Sequence, residues 1–461
     1  MDRQVIFDPE LIRRYDTSGP RYTSYPTAVQ FSDRFGPADH ADFARLAVQG
    51  NPALSLYVHI PFCATVCFYC GCNKIVTRDR ERAAPYLERL HKEMRLQGEL
   101  VTGAQVEQLH LGGGTPTFLN DAQMRALMQG LANAFDFAPA PSRDFSIEID
   151  PREASPDTIG VLGELGFNRL SLGVQDFDPS VQQAVNRIQP VAVTEAALAA
   201  ARANGFGSIN VDLMYGLPRQ SKASFTDTLD CLIALAPDRV SLFNYAHMPE
   251  RFKQQRGINA LEIPSPSVKL AILQTAIERL TAAGYRYIGM DHFAKSDDSL
   301  TQAQDSGQLT RNFQGYSTHG HCNLLGLGVS AISAMGKSYS QNLRTELEYT
   351  AALDGGRLPV FQGIALGFDD CLRRALINEL MCHFRLDCAA FSTKFGVDFE
   401  QYFAAELSVL AAMAADGLLH FDGQVLHVNA AGKLLIRNIC MVFDAYLQRE
   451  SEAAQRYSRT I

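Results

Sequence analysis

Four thiols fall close together at Cys63, Cys67, Cys70 and Cys72, directly after the apolar run Leu54–Ile60 and the pair Pro61-Phe62. Thiolates bind soft metals and iron-sulfur clusters, and the C-x3-C-x2-C spacing lets three sulfurs converge on one cluster without long-range chain closure. If three sulfurs hold three irons of a 4Fe-4S cluster, the fourth iron keeps an open position where a substrate or cofactor can coordinate. A structural zinc site would ask for a second cysteine pair at zinc-ribbon distance, and none follows. A disulfide framework belongs to small secreted chains, not to one of 461 residues.

Other stretches carry groups that could work beside such a centre. Gly112-Gly113-Gly114-Thr115-Pro116 lacks the side chains that would keep a ligand from the backbone. In Glu148-Ile-Asp150-Pro-Arg152, strand alternation sends both carboxylates to one side, and a buried carboxylate needs a partner. Gln175 ends another strand-like run, Arg187 could grip a carboxylate through a charge-assisted fork, and Asp212 interrupts the apolar Val211-Asp-Leu-Met. Gly289-Met-Asp291-His292 and Arg311-Asn-Phe313-Gln314-Gly-Tyr316 read as loops presenting polar and aromatic groups. His319 and His321 beside Cys322 have ligand-like spacing but no evident fourth partner, and His59 and His292 read more simply as structural hydrogen-bonders.

Residues just past the C-terminal ends of parallel strands share one face of a barrel, so the elements that must position these groups are βα units. Strands are expected at 54–60, 106–111, 145–150, 169–174, 208–214 and 239–246, with helices between them at 82–96, 122–135, 156–165, 193–204 and 225–235. A sixth helix is expected from Pro264 to Gly284, and 285–291 is a further possible strand. Six repeats fall short of the eight of a closed barrel. From about residue 365 the pattern turns helical, with a hairpin at 417–427 that turns at Asp422-Gly423, in the manner of a winged helix. Ahead of the barrel, Tyr15-Asp-Thr-Ser-Gly-Pro-Arg21-Tyr-Thr-Ser-Tyr-Pro is too rich in Gly and Pro for a regular element and reads as an ordered arm or a lid.

The composition is that of a soluble globular chain, 46% apolar and 20% charged, with a formal net charge of −8. That charge offers no global basic field for nucleic acid, so an anionic substrate would need a local basic pocket. No signal peptide is expected at the start and no run is long enough to span a membrane. The other six cysteines are scattered like buried small hydrophobes, which points to the reducing cytoplasm.

The C-x3-C-x2-C run with Tyr69 before its last cysteine resembles the signature of the radical S-adenosylmethionine enzymes. More narrowly, Ser55-Leu-Tyr57-Val-His-Ile-Pro-Phe-Cys63, Cys70-Gly-Cys72-Asn-Lys74 and the GGGTP run resemble the oxygen-independent coproporphyrinogen III oxidases, also called coproporphyrinogen dehydrogenases, along nearly the whole chain. The resemblance implies an α/β fold: an open three-quarter (β/α)6 TIM-like barrel at 51–364 including its extension, an N-terminal arm or lid at 1–50, and a mostly helical C-terminal domain at 365–461. It implies Cys63, Cys67 and Cys70 as cluster ligands. One S-adenosylmethionine site would use Tyr57, Gly113, Glu148 and Ile332, and a second Tyr69, Gly114, Thr115, Gln175, Arg187, Asp212 and Ala246. Cys72 is a candidate functional thiol or a buried one.

The implied activity is oxidative decarboxylation of two propionate side chains of coproporphyrinogen III to vinyl groups, giving protoporphyrinogen IX in haem biosynthesis. A 5′-deoxyadenosyl radical removes a β-hydrogen, and loss of carbon dioxide and one electron leaves each vinyl group. An external one-electron donor such as a flavodoxin or ferredoxin would reduce the cluster of a cytoplasmic monomer. Arg21 and Arg152 are expected to meet the substrate carboxylates. The alternatives are a related haem-binding chaperone, disfavoured by the arm and Cys72, and a radical enzyme acting on another substrate.

Overall fold

The structure is a computed structural model that describes residues 4–449; the ends of the expected 1–50 and 365–461 segments lie partly outside the described residues. The chain divides into two compact units, one of residues 30–276 and 321–365, the other of 4–29, 277–320 and 366 onward.

The first unit is built on ten principal strands. Six follow one another as βα repeats: β1 (Ala53–Ile60), β2 (Gln105–Gly113), β3 (Asp144–Ile149), β4 (Arg169–Gln175), β5 (Ser208–Tyr215) and β6 (Arg239–Asn244). Four more come from the second stretch: β7 (Asn323–Leu327), β8 (Ile332–Met335), β9 (Ser338–Asn342) and β10 (Val360–Ala365). Their order is β6-β5-β4-β3-β2-β1-β7-β8-β9-β10, parallel from β6 to β7 and antiparallel beyond. The expected six-strand open barrel is there. The sheet continuing past β1 into a four-strand extension is what the sequence did not reveal.

Local chemistry explains the strands and helices. Seven of the eight residues of β1 are buried, as expected for a parallel strand covered on both faces. The intervening helices open on side-chain caps. Asn120 accepts from the Gln123 N–H at 2.9 Å while Gln123 Oε1 accepts from the Asn120 N–H at 3.1 Å, a reciprocal box that starts Asp121–Ala134. Ser155 and Asp178 cap Pro156–Glu164 and Pro179–Ala184, each with proline in the first turn, where its missing N–H costs nothing.

The second unit gathers the arm, two hairpins and the C-terminal helices. The possible strand at 285–291 is Tyr285–Gly289, paired antiparallel with His292–Lys295, and the loop expected at 311–316 is a second hairpin, Thr310–Asn312 with Gly315–Ser317. Two-residue turns at Met290-Asp291 and Phe313-Gln314 are too short to interrupt pairing, which is why a loop-like composition folds as strands. The helix Phe368–His383 carries this unit's core, and the wing is a three-stranded sheet of Leu419–Phe421, Val425–Val428 and Arg385–Asp387. The 1–50 segment is divided at Val29: residues 30–50 belong to the first unit, while Tyr22 and Tyr25 are buried in the second. Tyr22 donates to Asp444 Oδ2 at 3.0 Å, and Arg437 Nε donates to the Pro20 carbonyl at 2.8 Å. The 277–320 stretch, expected inside the barrel domain, groups with the C-terminal helices for the same reason: its Ile288, Ala294, Leu300 and Leu309 share a core with Cys382.

Candidate active site

The cysteines, the glycine run, Glu148, Gln175, Asp212 and Ala246 stand at or near the C-terminal ends of β1 to β6 or in the loops that follow them, the end where such folds assemble sites. β1 runs into Cys63 through Pro61 and Phe62. A short parallel pairing of Phe62–Cys63 with Ile75–Val76 closes the cysteine loop on itself, fixed by the Thr77 N–H on the Cys63 carbonyl at 2.9 Å. All ten cysteines are unpaired.

Each of the three expected ligand sulfurs receives a hydrogen-bond donor. Thr115 Oγ1 donates to Cys63 Sγ at 3.6 Å and the Cys72 N–H to Cys70 Sγ at 3.4 Å. Cys67 Sγ takes two guanidinium donors, Arg187 Nη1 at 3.6 Å and Arg152 Nη2 at 3.7 Å. Donors of this kind stabilise thiolates over thiols. Cys70 has its pKa brought down to about 6 by the Cys72 thiol and, against burial, by Lys74, whereas burial pushes Cys63 up to about 11. A trio of thiols so supplied fits a metal cluster better than it fits an apolar core. Cys72 is exposed, which removes the reading of it as a buried packing residue.

The glycine run is fixed by three separate close approaches. A Cβ on Gly112 would meet the Glu148 carboxyl at 3.0 Å, one on Gly113 the His59 ring at 2.7 Å, and one on Gly114 the Pro61 backbone carbon at 2.7 Å. Gly113 also has φ of +118°, outside the range of L side chains. Tyr57, His59, His110 and Glu148 form a chain across three strands: Tyr57 Oη lies 3.0 Å from His59 Nδ1, the Tyr57 and His110 rings stack at 5.9 Å, and His110 Nε2 meets Glu148 Oε1 at 3.2 Å. The Gly113 N–H points at Glu148 Oε2 at 3.4 Å. Burial works to raise the Glu148 pKa, but the His110 hydrogen bond and charge, the Gly113 N–H and His59 outweigh it, so the carboxylate is ionised at neutral pH. Its side chain is still 47% accessible, as expected for a group lining a cavity.

On the neighbouring strands the Asp212 carboxylate accepts from Asn210 Nδ2 at 2.8 Å and Ser171 Oγ at 3.1 Å. Burial and then the charge of Glu148 push its pKa up to about 6. Asp150 holds Arg187 Nη1 at 2.8 Å and Arg152 Nη2 at 2.6 Å, so the fork expected for a ligand carboxylate is already engaged, with the other end of Arg187 on the Gly173 carbonyl. Three buried polar atoms nearby have no partner: Arg187 Nε, Gln175 Oε1 and Asn244 Oδ1. Such orphans are costly unless a ligand completes them, and they fit a polar cofactor. The Tyr69 ring packs against Val181, Val185, Leu217 and Tyr245. The Tyr69 and Ala246 carbonyls accept from Gln255 Nε2 at 3.1 and 3.2 Å. Ile332, on β8, pairs with Gln341 and passes close by Gly326.

His110, Asn210 and Asn244 are not among the residues singled out in the sequence, which marks Asp150 as a carboxylate in need of a partner and His59 as a structural hydrogen-bonder. The signal was there for His59 and His110, which sit two residues beyond Tyr57 and two before Gly112 and therefore share their faces. His321 and Cys322 lie at the opposite, N-terminal end of the strands. Glu107 Oε2 is 2.7 Å from His321 Nε2 and within 3.9 Å of Cys322 Sγ, and among the described residues no fourth ligating side chain joins this group. No helix of the described residues is long and apolar enough to cross a membrane.

A family model for the Radical SAM superfamily matches residues 57–232 and one for the HemN C-terminal domain matches residues 369–435. The oxygen-independent coproporphyrinogen III oxidase of Pseudomonas aeruginosa is 54% identical over 458 residues, covering 99% of both chains. That of Escherichia coli is 50% identical over 459 residues, covering 100% of this chain and 99% of its own. A solved structure of the Escherichia coli coproporphyrinogen III oxidase (HemN), described as a radical SAM enzyme, superposes with a TM-score of 0.91 at 49% identity, covering 96% of this chain and 100% of that one.

Proposed function

Because the chain belongs to the oxygen-independent coproporphyrinogen III oxidases of the radical SAM superfamily, we propose that it converts coproporphyrinogen III to protoporphyrinogen IX by oxidative decarboxylation of two propionate side chains. The observation that carries this reading is the set of three unpaired cysteines, each supplied with a hydrogen-bond donor, at the mouth of an open parallel barrel. Cys63, Cys67 and Cys70 would hold a 4Fe-4S cluster. When bound, the cluster and S-adenosylmethionine supply one-electron cleavage and a carbon radical able to remove a propionate hydrogen.

The chain's own part is binding, orientation and protection. Glu148, ionised at neutral pH, accepts hydrogen bonds from an ammonium group, and Tyr57, Gly113 and Ile332 complete a first S-adenosylmethionine site. Asp212 and Gln175 offer acceptors to hydroxyl or amino groups of a second molecule, lined by Tyr69, Gly114, Thr115 and Ala246. Arg187 is held there by Asp150 and keeps its Nε free for that ligand. Arg152 and Arg187 place positive charge against the Cys67 sulfur. Cys72, exposed beside Cys70, is the candidate thiol for a role in turnover. Radical chemistry needs no general base, in keeping with the absence of any Ser-His-Asp or paired-carboxylate signature in the sequence. An external flavodoxin or ferredoxin supplies electrons, and ten unpaired cysteines suit a reducing cytoplasm.

Anaerobic reconstitution with iron and sulfide, followed by addition of coproporphyrinogen III, S-adenosylmethionine and a reductant, tests this. The expected products are protoporphyrinogen IX, two carbon dioxide per substrate, methionine and 5′-deoxyadenosine. A loaded enzyme that yields no vinyl product, or that instead takes up haem stably, would overturn it.

A further inference from the structure

The two arginines expected to meet substrate carboxylates already hold carboxylates of their own. Arg21 is paired with Asp291, and Arg152 grips Asp150 through Nε at 2.9 Å and Nη2 at 2.6 Å. The largely buried Arg187 and Arg373 are paired as well, the first with Asp150 and the second with Asp369 and Glu406. Arg311 is different. It stands in the strand Thr310–Asn312 opposite Tyr316, its N–H bonds to Asn378 Oδ1 at 3.0 Å, and its guanidinium lies 4.8 Å from the Tyr316 ring centroid. The ring steadies the guanidinium plane without neutralising the charge. Nε and Nη1 are both shut off from solvent with no hydrogen-bond partner, and among the described residues no ion pair joins Arg311.

Gln314, in the turn of the same hairpin, adds a second unmet donor, Nε2, equally buried. His292, whose ring meets Tyr316 edge-on at 5.3 Å, brings no further positive charge, because burial and the charges of Arg311 and Arg21 push its pKa down to about 3. A guanidinium with two nitrogens cut off from water and no anion beside it is destabilising, and buried donors are rarely left unmet. All these unmet groups are donors, so the complement they call for is an anionic acceptor. A carboxylate meets that description, and guanidinium is the side chain best matched to it.

We propose that Arg311 and Gln314 form a carboxylate-binding subsite that takes a propionate of the tetrapyrrole, an assignment that rests on the function proposed above. The test compares the reconstituted wild-type enzyme with Arg311→Met and Gln314→Leu. It reads KM for coproporphyrinogen III, anaerobic binding of coproporphyrin III and of its tetramethyl ester by fluorescence, cluster absorption, and Tm. Arg311→Met is expected to raise KM and the Kd for the free acid about ten- to hundredfold, the loss typical of hydrogen bonds to a charged group. Binding of the ester and cluster absorption should not change. The Tm of Arg311→Met should be unchanged or higher, since a charge without a partner is removed; an arginine with a structural role would lower it. Gln314→Leu is expected to give a smaller rise in KM and decides the matter should Arg311→Met fail to fold.

Unchanged KM and free-acid affinity in an active variant overturn the subsite and leave the proposed function standing. Weakened free-acid binding together with a wild-type enzyme that makes no vinyl product keeps the subsite and removes the function. If wild type neither binds nor converts the tetrapyrrole, both fall.

Discussion

Asp212 is a site carboxylate whose protonation the fold disturbs in the costly direction. Its folded pKa, about 6, lies above the value near 4 of an unfolded aspartate, so ionising it opposes folding. That penalty is absent below about pH 4, grows as pH rises through 6 and is constant above. Asp212→Asn should therefore stabilise the cofactor-free protein more at pH 7.5 than at pH 5, as measured by paired thermal unfolding; a difference that ignores pH would contradict the assignment. Cys72 gives a second expectation at this scale. Cys72→Ser should keep the visible cluster absorption, because the sulfurs of Cys63, Cys67 and Cys70 remain, yet lose most turnover. Full activity would reduce Cys72 to a bystander. The position of Asp212 was legible because a charge inside an apolar strand stands out, while its bond to Ser171 was not, since it depends on which strand becomes the neighbour.

The turn after β2 is the element on which the site is most closely fitted. Three consecutive glycines meet three different neighbours, and the neighbour of Gly114 is backbone, which cannot swing aside as a side chain can. Gly114→Ala should cost about 1–3 kcal/mol through overpacking and displace the Pro61-Phe62 segment that leads into Cys63. We expect reduced iron content after reconstitution together with weaker S-adenosylmethionine binding; normal iron loading would show that the turn is only a connector. The strands of the barrel were readable because each is a short apolar run bounded by turn residues. The hairpins at 285–295 and 310–317 were read as one possible strand and a loop, since their short strands carry too few apolar positions for alternation to register.

At the scale of the molecule, the first unit is tied together by a residue the sequence reading passed over. Glu93 is fully buried on the helix Ala83–Leu100 and accepts from Tyr349 Oη at 2.6 Å, Asn342 Nδ2 at 2.6 Å and the Gly328 N–H at 2.7 Å. These partners lie more than 230 positions away along the chain, and they fasten the four-strand extension to the barrel. Periodicity marks Glu93 as a polar residue on a helix and no more, because the strands that receive it come after a 44-residue excursion into the other unit. Glu93→Ala strands three buried groups and should destabilise this unit by about 3 kcal/mol. Hydrogen exchange is expected to lose protection at 323–354 and to keep it in the core of 368–383. Uniform loss across both regions would mean the two units do not respond separately.

The second unit is assembled from three separated stretches of chain, and that has a consequence during synthesis. Tyr22 and Tyr25 leave the ribosome 422 and 420 residues ahead of the groups that receive them, Asp444 and the Ala445 N–H. At about 5–20 residues per second the delay is roughly 20 to 80 s. For that interval the nascent arm carries aromatic surface with nowhere to dock, which makes it a natural client for a chaperone that waits at the exit tunnel.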